Sequence, residues 1–434
     1  MTVTRPSRAI STQTNATNID LVAVQRRTLR LLFVTQIISG IGVAIGSSVG
    51  ALLAAQLAGV RISGFALSAG VVGAALLAIP ATQIVRRSGR RLSLAATYFV
   101  AAIGSVVVVM AAMQNSIALL FAGFFLFGGG TAAGMQARYA AVDLAPAQQR
   151  GRSLSIILWA TTLGAVAGPN LAAVAGASLD DYGVPTLAGP FAFSAALFVL
   201  AAVVFMLLMR PDPAVLARQA HAQATENAED RTRTDMRTAL AAVASNPSAR
   251  LGVIAMAVGH VVMIAVMAMT PVHIRGAGHD AAHTLRIVGI VLSIHVAGMY
   301  AFSPAIGWLT DRFGRRPIIV AGLFFLLAAC ALAGTAGHNS PRLAAGLMTL
   351  GIGWSSTVVA GSTLLSDSIS AELRPSAQGL SDLTMGLAGA SAGALSGVVM
   401  QGWGFAALAL IAAITATLFL VLAARRLTYA TEVR

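Results

Sequence analysis

Ionisable groups within the long apolar stretches are the first candidates for chemistry in this chain. Of its 15 acidic residues, 14 fall in tails, loops or the ends of apolar runs, and only Asp382 lies clearly inside one. An ionised side chain in the hydrocarbon region of a bilayer is costly and marks a functional site by default. A partly buried carboxyl group is also suited to loading and unloading protons. We expect Asp382 either to carry a proton or to partner a neighbouring helix end or basic group.

Histidines form a second group of candidates, because five of the seven lie within 36 residues of each other. His260 and His295 are central in two successive apolar runs, where antiparallel helices would bring them to a similar depth. An unperturbed imidazole titrates near 6.5, so this pair is suited to relay protons or to bind a substrate. Interhelical hydrogen bonds and a metal site remain as alternatives, the latter requiring at least three converging ligands. The other three histidines of the group are His273, His279 and His283.

Isolated polar and aromatic side chains in the apolar runs are candidates for lining a cavity. Arg138 stands near the end of its run, and we expect it to reach the membrane surface or to pair with Asp143; binding of an anionic substrate is the alternative. The remaining cavity candidates, for each of which plain packing is the competing interpretation, are Gln36, Trp159, Asn170 and Trp354.

The elements that position these residues follow from composition. The chain has 434 residues and a mean hydropathy of +0.80, with 57% hydrophobic and 10% charged residues. A soluble domain carries about 25% charged residues, so this chain is predicted to be an all-α membrane protein. A spanning helix needs about 20 mostly apolar residues. Twelve runs meet this length, near 31–58, 64–85, 92–113, 117–141, 153–176, 189–209, 251–273, 286–309, 317–336, 342–365, 376–400 and 403–424.

Arginine placement orients these twelve helices. All 29 basic residues are arginine; 24 fall in the segments that share a side with both termini, four fall in the loops of the other side, and one is Arg138. Because positive loops stay in the cytosol, we expect a multi-pass protein of the inner (cytoplasmic) membrane with both termini cytosolic. The net charge of +14 is explained by this orientation, so nucleic-acid binding is not expected.

Several chemistries are excluded or not expected. With no lysine in the chain a phosphate-binding P-loop is excluded, so ATP does not drive it. Cys330 is the only cysteine, which rules out an internal disulfide and a cysteine-based metal site. No nucleophile and base stand near one depth, so we expect no enzyme activity. We also expect no cofactor and no resident metal, and a monomer in the lipid bilayer.

The domain organisation follows from the spans and their interruption. We expect a disordered cytosolic tail at 1–28, a six-helix bundle at 29–210, a charged cytosolic linker at 211–250, a second six-helix bundle at 251–426 and a short tail at 427–434. A solvated linker is the simpler interpretation of 211–250, and a surface-bound amphipathic helix is the alternative.

The second bundle repeats the first. Arg-Ser-Gly-Arg-Arg at 87–91 matches Arg-Phe-Gly-Arg-Arg at 312–316 with an offset of 225, and Gly129, Asp143 and Arg150 match Gly353, Asp367 and Arg374 with an offset of 224. Three matches at nearly one offset indicate two copies of a six-helix unit in the same orientation.

The run from Gly307 to Arg316 resembles the signature loop of the major facilitator superfamily, which joins helices 8 and 9. The resemblance implies two pseudo-symmetric six-helix bundles and a gating loop whose acid, Asp311, faces a helix N-terminus of the other half. Gly314 permits the tight turn between the two helices. The residues that the resemblance assigns to the two gating loops are Gly307, Asp311, Arg312, Gly314, Arg315, Arg316, Arg87, Gly89, Arg90, Arg91, Asp143 and Asp367.

The first copy of the loop departs from the family pattern. Arg86 stands where the family has its acid, and Thr82 stands where it has its first glycine. The departure implies that Asp311 carries the gate alone.

Helix 5 carries a partial second motif. Gly164, Gly168 and Pro169 resemble part of the family's antiporter motif, while Ser155 and Ala172-Ala173 depart from it. The motif favours a proton-coupled exporter of small organic compounds of the multidrug type, which exchanges protons for substrate by alternating access. The alternatives are import of a small metabolite, metal export by the histidines of helices 7 and 8, and a sensor that does not transport.

Overall fold

The computed structural model describes residues 20–146, 149–224, 236–370 and 373–431, and the regular structure in these ranges is helical. The predicted all-α class is confirmed. The helices are α1 (Leu21–Ala58), α2 (Val60–Ser88), α3 (Arg90–Gln114), α4 (Ile117–Ala140), α5 (Arg150–Ala177), α6 (Gly189–Leu208), α7 (Pro213–Ala224), α8 (Met236–Ser245), α9 (Pro247–Arg275), α10 (Ala281–Tyr300), α11 (Ser303–Phe313), α12 (Arg315–Gly334), α13 (Ser340–Ser368) and α14 (Arg374–Thr431).

Twelve membrane crossings are distributed over these helices. Ten helical segments of the described chain are long and apolar enough to cross a bilayer. The last of them, Ser376–Val421, is interrupted by the non-helical Gly404 and provides two crossings, and α5 provides the twelfth. The eighth crossing, predicted as one helix over 286–309, is divided into α10 and α11. Pro304 lies in the first turn of α11, which begins at Ser303, and has no N–H to continue the hydrogen bonding of α10.

Two predicted boundaries are corrected by the helices. The tail predicted at 1–28 is helical from Leu21, because the Asp20 carboxylate accepts hydrogen bonds from the amides of Val22 and Ala23 and caps α1. The linker predicted at 211–250 contains α7 and α8, and its last four residues already belong to α9. The remainder of the predicted N-terminal tail lies outside the described residues.

The internal repeat is visible in backbone packing. Gly129 on α4 lies so close to α3 that a Cβ there would stand 3.0 Å from the Thr97 carbonyl oxygen. Gly353 on α13 is packed in the same way on α12, where a Cβ would stand 3.0 Å from the Gly322 carbonyl oxygen. Thr97 and Gly322 are themselves 225 residues apart. The offset found in the sequence therefore relates three-dimensional contacts as well as residue types.

Each bundle has its own apolar core. The first is built around stacked and edge-on aromatic rings of α3, α4 and α6, with Tyr98 lying between Phe198 and Phe205. The second core consists mainly of aliphatic side chains and methionines from α9, α12 and α13. The two cores leave the helices that meet between the bundles free to line a cavity.

The two membrane ends of the molecule differ in how closely the bundles approach. We call the end with residues 86–91, 143–150 and 311–316 the arginine face and the other end the opposite face. Near the opposite face Gly64 of α2 lies against the Gly393 carbonyl of α14, and a Cβ on Gly397 would stand 2.5 Å from the Val60 carbonyl oxygen. These contacts close the opposite face.

Toward the arginine face α2 and α14 separate. Gly379, Gly386 and Gly393 are seven residues apart and therefore lie on one side of α14. A Cβ on Gly393 would stand 3.2 Å from Ser68 Oγ, whereas Gly379 and Gly386 have no described neighbour within 4 Å of that position. The space between the bundles therefore widens toward the arginine face.

Candidate functional site

A cavity of about 400 Å³ lies between the two bundles. Its walls come from α1, α2, α4 and α5 of the first bundle and from α9, α10 and α14 of the second. Most of the lining is apolar, including Met135, Met267 and Leu292, and flexible thioethers adapt well to differently shaped ligands. A largely apolar pocket with a few polar groups is the usual form of a small-molecule site.

Arg138 of α4 lines this cavity, and the expectation that it pairs with Asp143 is wrong. Asp143 instead binds Arg90, with Arg90 Nε 2.8 Å from Asp143 Oδ2. Arg138 acts electrostatically on Asp382 of α14, although the two groups form no ion pair among the described side chains. Arg138 and Asp382 belong to different bundles, so this interaction crosses the interface between them.

His260 and Trp354 form a pair inside the second bundle. Trp354 Nε1 donates a hydrogen bond of 3.1 Å to His260 Nδ1, and the Trp354 ring also meets Tyr300 edge-on. Because the indole nitrogen can only donate, His260 Nδ1 is an acceptor and the neutral ring carries its proton on Nε2. Neither residue is among those that line the cavity.

His295 lines the cavity and is fully buried. Its Nδ1 lies 2.7 Å from the Leu347 carbonyl oxygen on α13. His260 and His295 are therefore held by different groups, and the described rings show no contact with each other. Their proposed role as one proton-relaying pair gains no support from this arrangement.

Gln36 of α1 also lines the cavity, whereas two other cavity candidates do not. Trp159 is 62% exposed and stacks on Phe33. Asn170 donates to Ser293 Oγ at 2.6 Å and thereby joins α5 to α10 across the two bundles. Its position favours a structural role between the bundles.

His279, just before α10, and His283, in the first turn of α10, lie on the opposite face. His279 and His283 meet edge-on at 4.6 Å, but Asp280 between them caps α10 by accepting the His283 amide. This hydrogen bond holds the pKa of the Asp280 carboxyl below its usual range. No group of three or more metal-ligating side chains occurs in the described part of the chain.

The first gating loop is covered by the linker. Gly89 makes the turn with a φ of 93°, and the Asp212 carboxylate lies directly over it and accepts the Arg91 amide at 2.8 Å. Arg218 of α7 donates to the carbonyls of Val85 and Arg86, and Arg87 is exposed. The linker thus caps both helices that the loop joins.

The second gating loop has the same turn, but no such cover is provided by the described part of the linker. Gly314 has a φ of 93°, Arg315 Nε lies 2.9 Å from Asp367 Oδ2, and Arg316 donates to Ser248 Oγ. The Asp311 side chain is 76% exposed, and its ion-pair partner is Arg315 at 3.7 Å.

Among the described residues, Asp311 forms its ion pair within its own bundle, and the expectation that it faces a helix N-terminus of the other bundle stays a prediction. Gly307 has no described neighbour near its Cα hydrogens, and the Arg312 guanidinium lies over the Trp308 ring at 5.1 Å. The second loop is thus accessible on the arginine face.

The helix-5 motif contacts both α1 and the second bundle. A Cβ on Gly164 would stand 2.8 Å from the Ile37 carbonyl oxygen, and Gly168 packs on Ala44. Pro169 lines the cavity, and its carbonyl lies against Gly289 of α10. The glycines act in packing, and only the proline borders the cavity.

Sequence reasoning missed Asp212, Arg218 and Thr161. The first two cap helix ends that are more than 100 residues away in sequence. Thr161 accepts a hydrogen bond from Gln36 and lines the cavity. Thr161 could have been predicted as a polar residue on the cavity-facing side of α5. The local sequence of the linker, in contrast, does not indicate the contacts of Asp212 and Arg218.

The comparisons with known proteins agree with this architecture. The family model described as Major Facilitator Superfamily matches residues 32–285 and 278–433. The chain belongs to the Major Facilitator Superfamily. The resemblance found in the signature loop is therefore confirmed, and the protein is a secondary transporter of a family whose members are not enzymes.

Two relatives and one structure place the chain within this superfamily. It is 39% identical over 403 residues to the uncharacterised MFS-type transporter YdeG of Bacillus subtilis (strain 168), covering 92% of this chain and 91% of the relative. It is 27% identical over 321 residues to the riboflavin transporter RfnT of Brucella anthropi, covering 72% and 74%. The crystal structure of a D-xylose-proton symporter aligns with a TM-score of 0.68 at 19% identity, covering 91% of this chain and 97% of that one. The last similarity concerns the fold.

Proposed function

We propose that this MFS transporter exports small, largely apolar organic compounds in exchange for protons. The observation that carries the proposal is the position of Arg138 in the wall of a mostly apolar cavity, where its charge acts on Asp382 of the other bundle. The cavity lies within one chain, so we propose a monomer as the functional unit.

The proposed direction rests on the arginine face being cytosolic. The loops of this face and the two termini carry 24 of the 29 arginines, as expected for cytosolic segments. The space between α2 and α14 widens toward this face. A compound in the cytosol, or in the inner part of the bilayer, would then have access to the cavity.

Proton coupling follows from the force between the two charged groups. A guanidinium and a carboxylate attract each other while the acid is ionised, and this attraction ends when the acid is protonated. Loss of the Asp382 proton to the cytosol would therefore draw α4 and α14 together and favour closure of the arginine face. Protonation from the outside would release the bundles and favour the return to the cytosol-open state.

Replacement of the acid tests this mechanism. In everted vesicles with a proton-sensitive dye, transported compounds should release an imposed pH gradient. We expect Asp382→Asn to bind substrate but to lose the dependence of transport on the pH gradient, because the asparagine cannot titrate. Asp181→Asn is the matched control, since this exposed acid lies on the opposite face and outside the cavity. An unchanged pH dependence in Asp382→Asn would exclude the residue as the coupling group.

Import of a small metabolite is the second candidate function. The observation in its favour is the 27% identity to a riboflavin transporter. Riboflavin should then release the pH gradient in vesicles of only one orientation, and accumulation in right-side-out vesicles would identify import. Metal export is disfavoured, because His260 and His295 are held by separate partners and no third ligand joins either of them among the described residues.

A further inference from the structure

The cavity wall holds three buried side-chain atoms without a hydrogen-bond partner among the described residues. They are Oε1 of Gln36, Nε2 of His295 and Nε of Arg138. Gln36 is 4% exposed and His295 is fully buried, and both residues line the cavity. Buried polar atoms are rarely left unpaired in native proteins, so each such case requires an explanation.

The hydrogen bonds around Gln36 fix its unpaired atom as an acceptor. Gln36 Nε2 lies 3.0 Å from Thr161 Oγ1, and the Thr161 hydroxyl donates its own hydrogen to the Ile157 carbonyl. Because this hydroxyl has only one hydrogen, it must accept from the Gln36 amide nitrogen. The Gln36 carbonyl oxygen is therefore the atom that remains free.

The same reasoning applies to His295. Its Nδ1 lies 2.7 Å from the Leu347 carbonyl oxygen, which can only accept. Nδ1 therefore carries the proton, and Nε2 of the neutral imidazole presents a lone pair. The unpaired atoms of Gln36 and His295 are thus both acceptors, whereas the third, Arg138 Nε, is a donor.

The two acceptors lie at different depths in the cavity. Gln36 packs beside Gly134 of α4. The repeat places His295 at the level of Gly70, which lies against Gly128 of α4. The separation of six positions from Gly128 to Gly134 corresponds to about 9 Å along the helix. His295 is therefore about 9 Å farther from the arginine face than Gln36.

We propose that the cavity selects compounds with an apolar body and at least two N–H or O–H groups, which donate to Gln36 Oε1 and His295 Nε2. This inference rests on the proposed function, because it specifies the substrate class of the same cavity. A site whose acceptors are shielded from water discriminates strongly against analogues without the donor, since binding such an analogue leaves the acceptor unpaired.

A series of naphthalene derivatives of equal shape tests the selection. The probes are 2,6-dihydroxynaphthalene, its monomethyl ether and its dimethyl ether, whose binding to the purified transporter in nanodiscs is measured by ligand fluorescence. We expect each methylation to weaken binding about 10-fold, because it removes one donor while keeping the ring system. Equal binding of the diol and the dimethyl ether, including no binding of either, would overturn the proposal.

Substitutions assign the preference to the two residues. Gln36→Met removes the acceptor at similar size, and His295→Asn keeps a donor for Leu347 while removing the atom at the Nε2 position. In each variant we expect the effect of the two methylations together to fall from about 100-fold to about 10-fold. An unchanged preference in both variants would contradict the assignment.

Gln25→Met is the matched control for packing. Gln25 is also buried with an unpaired Oε1, but it binds the Ala141 carbonyl and does not line the cavity. This variant should keep the full preference for the diol. Asp382→Asn should keep it as well, because the donor contacts do not involve the coupling acid. If proton coupling is intact but the diol is not preferred, the proposed substrate class is refuted alone. If the diol is preferred but transport is not coupled to protons, the proposed coupling is refuted alone.

Discussion

The two gating loops have closely similar sequences but different surroundings. In the first, Arg90 makes two hydrogen bonds to Asp143 and a third to Gln136. The side chains of Arg90 and Asp143 are 12% and 16% exposed. In the second, Arg315 makes one hydrogen bond to Asp367. The side chains of Arg315 and Asp367 are 32% and 52% exposed. The same two residue types thus form a buried structural clamp in one bundle and an accessible contact in the other.

The linker accounts for much of this difference. Asp212 and Arg218 cap α3 and α2 beside the first loop, which has Arg86 in place of the family's acid. The second loop retains its acid, Asp311, and remains accessible. The two copies of a repeated motif can thus take different tasks: one copy holds its bundle together, and the other is available for movement. We therefore propose that the second loop is the one that moves during transport.

The largest effect is expected at Asp311. Asp311→Asn should abolish transport while leaving expression intact, because the closed arginine face would lose the loop carboxylate that we expect to meet a helix N-terminus of the other bundle. The measurement is substrate-dependent release of the pH gradient in everted vesicles. Asp181→Asn, an exposed acid of the opposite face, serves as the control. Near-normal transport by the Asp311 variant would contradict the division of tasks.

The second prediction compares the two ion pairs directly. Asp143→Asn should destabilise the protein by about 3 kcal/mol, because it leaves the largely buried Arg90 without its carboxylate. Asp367→Asn should cost less than about 1 kcal/mol, since its pair is accessible to solvent. Thermal unfolding of the purified variants in detergent measures both effects. Equal shifts of the two midpoints would show that the loops are not structurally distinct.

The smallest effect is expected at the linker. Asp212→Ala should cost about 1 kcal/mol, as loss of a helix cap does. It should also accelerate trypsin cleavage at Arg86 to Arg91 toward the rate at Arg312 to Arg316. Asp212→Ser keeps a capping oxygen and should restore protection. Cleavage sites are identified by mass spectrometry, and equal protection of the first loop in the alanine variant would show that the linker does not cover it.

The sequence predicted the architecture because long apolar runs and arginine placement are governed by the bilayer itself. The repeat was also predictable, since both copies keep the same residues at helix contacts, such as Gly129 and Gly353. The direction of individual side chains was not predictable in the same way. Arg138 is one turn from Asp143 in sequence, yet it faces the cavity because α4 turns that side toward the second bundle.

Contacts between residues far apart in the sequence could not be predicted for a related reason. Nothing local in the linker indicates that Asp212 meets the Arg91 amide, because this contact depends on how α6 leads into α7. The candidates His260 and His295 were found from their residue type, but their separate hydrogen-bond partners on α13 depend on helix rotation. Residue type therefore predicts which groups are available, and packing decides how they are used.

The glycine contacts of the opposite face have a consequence for how the transporter responds to its environment. Gly64 and Gly397 bring the α2 and α14 backbones together without any side chain between them. Such a seal depends on shape and dispersion forces, which ionic strength and membrane voltage hardly affect. We propose that the arginine face, in contrast, closes through charged groups. Salt and voltage should therefore change the transport cycle almost entirely through the arginine face. Closure of the opposite face depends instead on the glycine contacts, where the side chain is a single hydrogen atom.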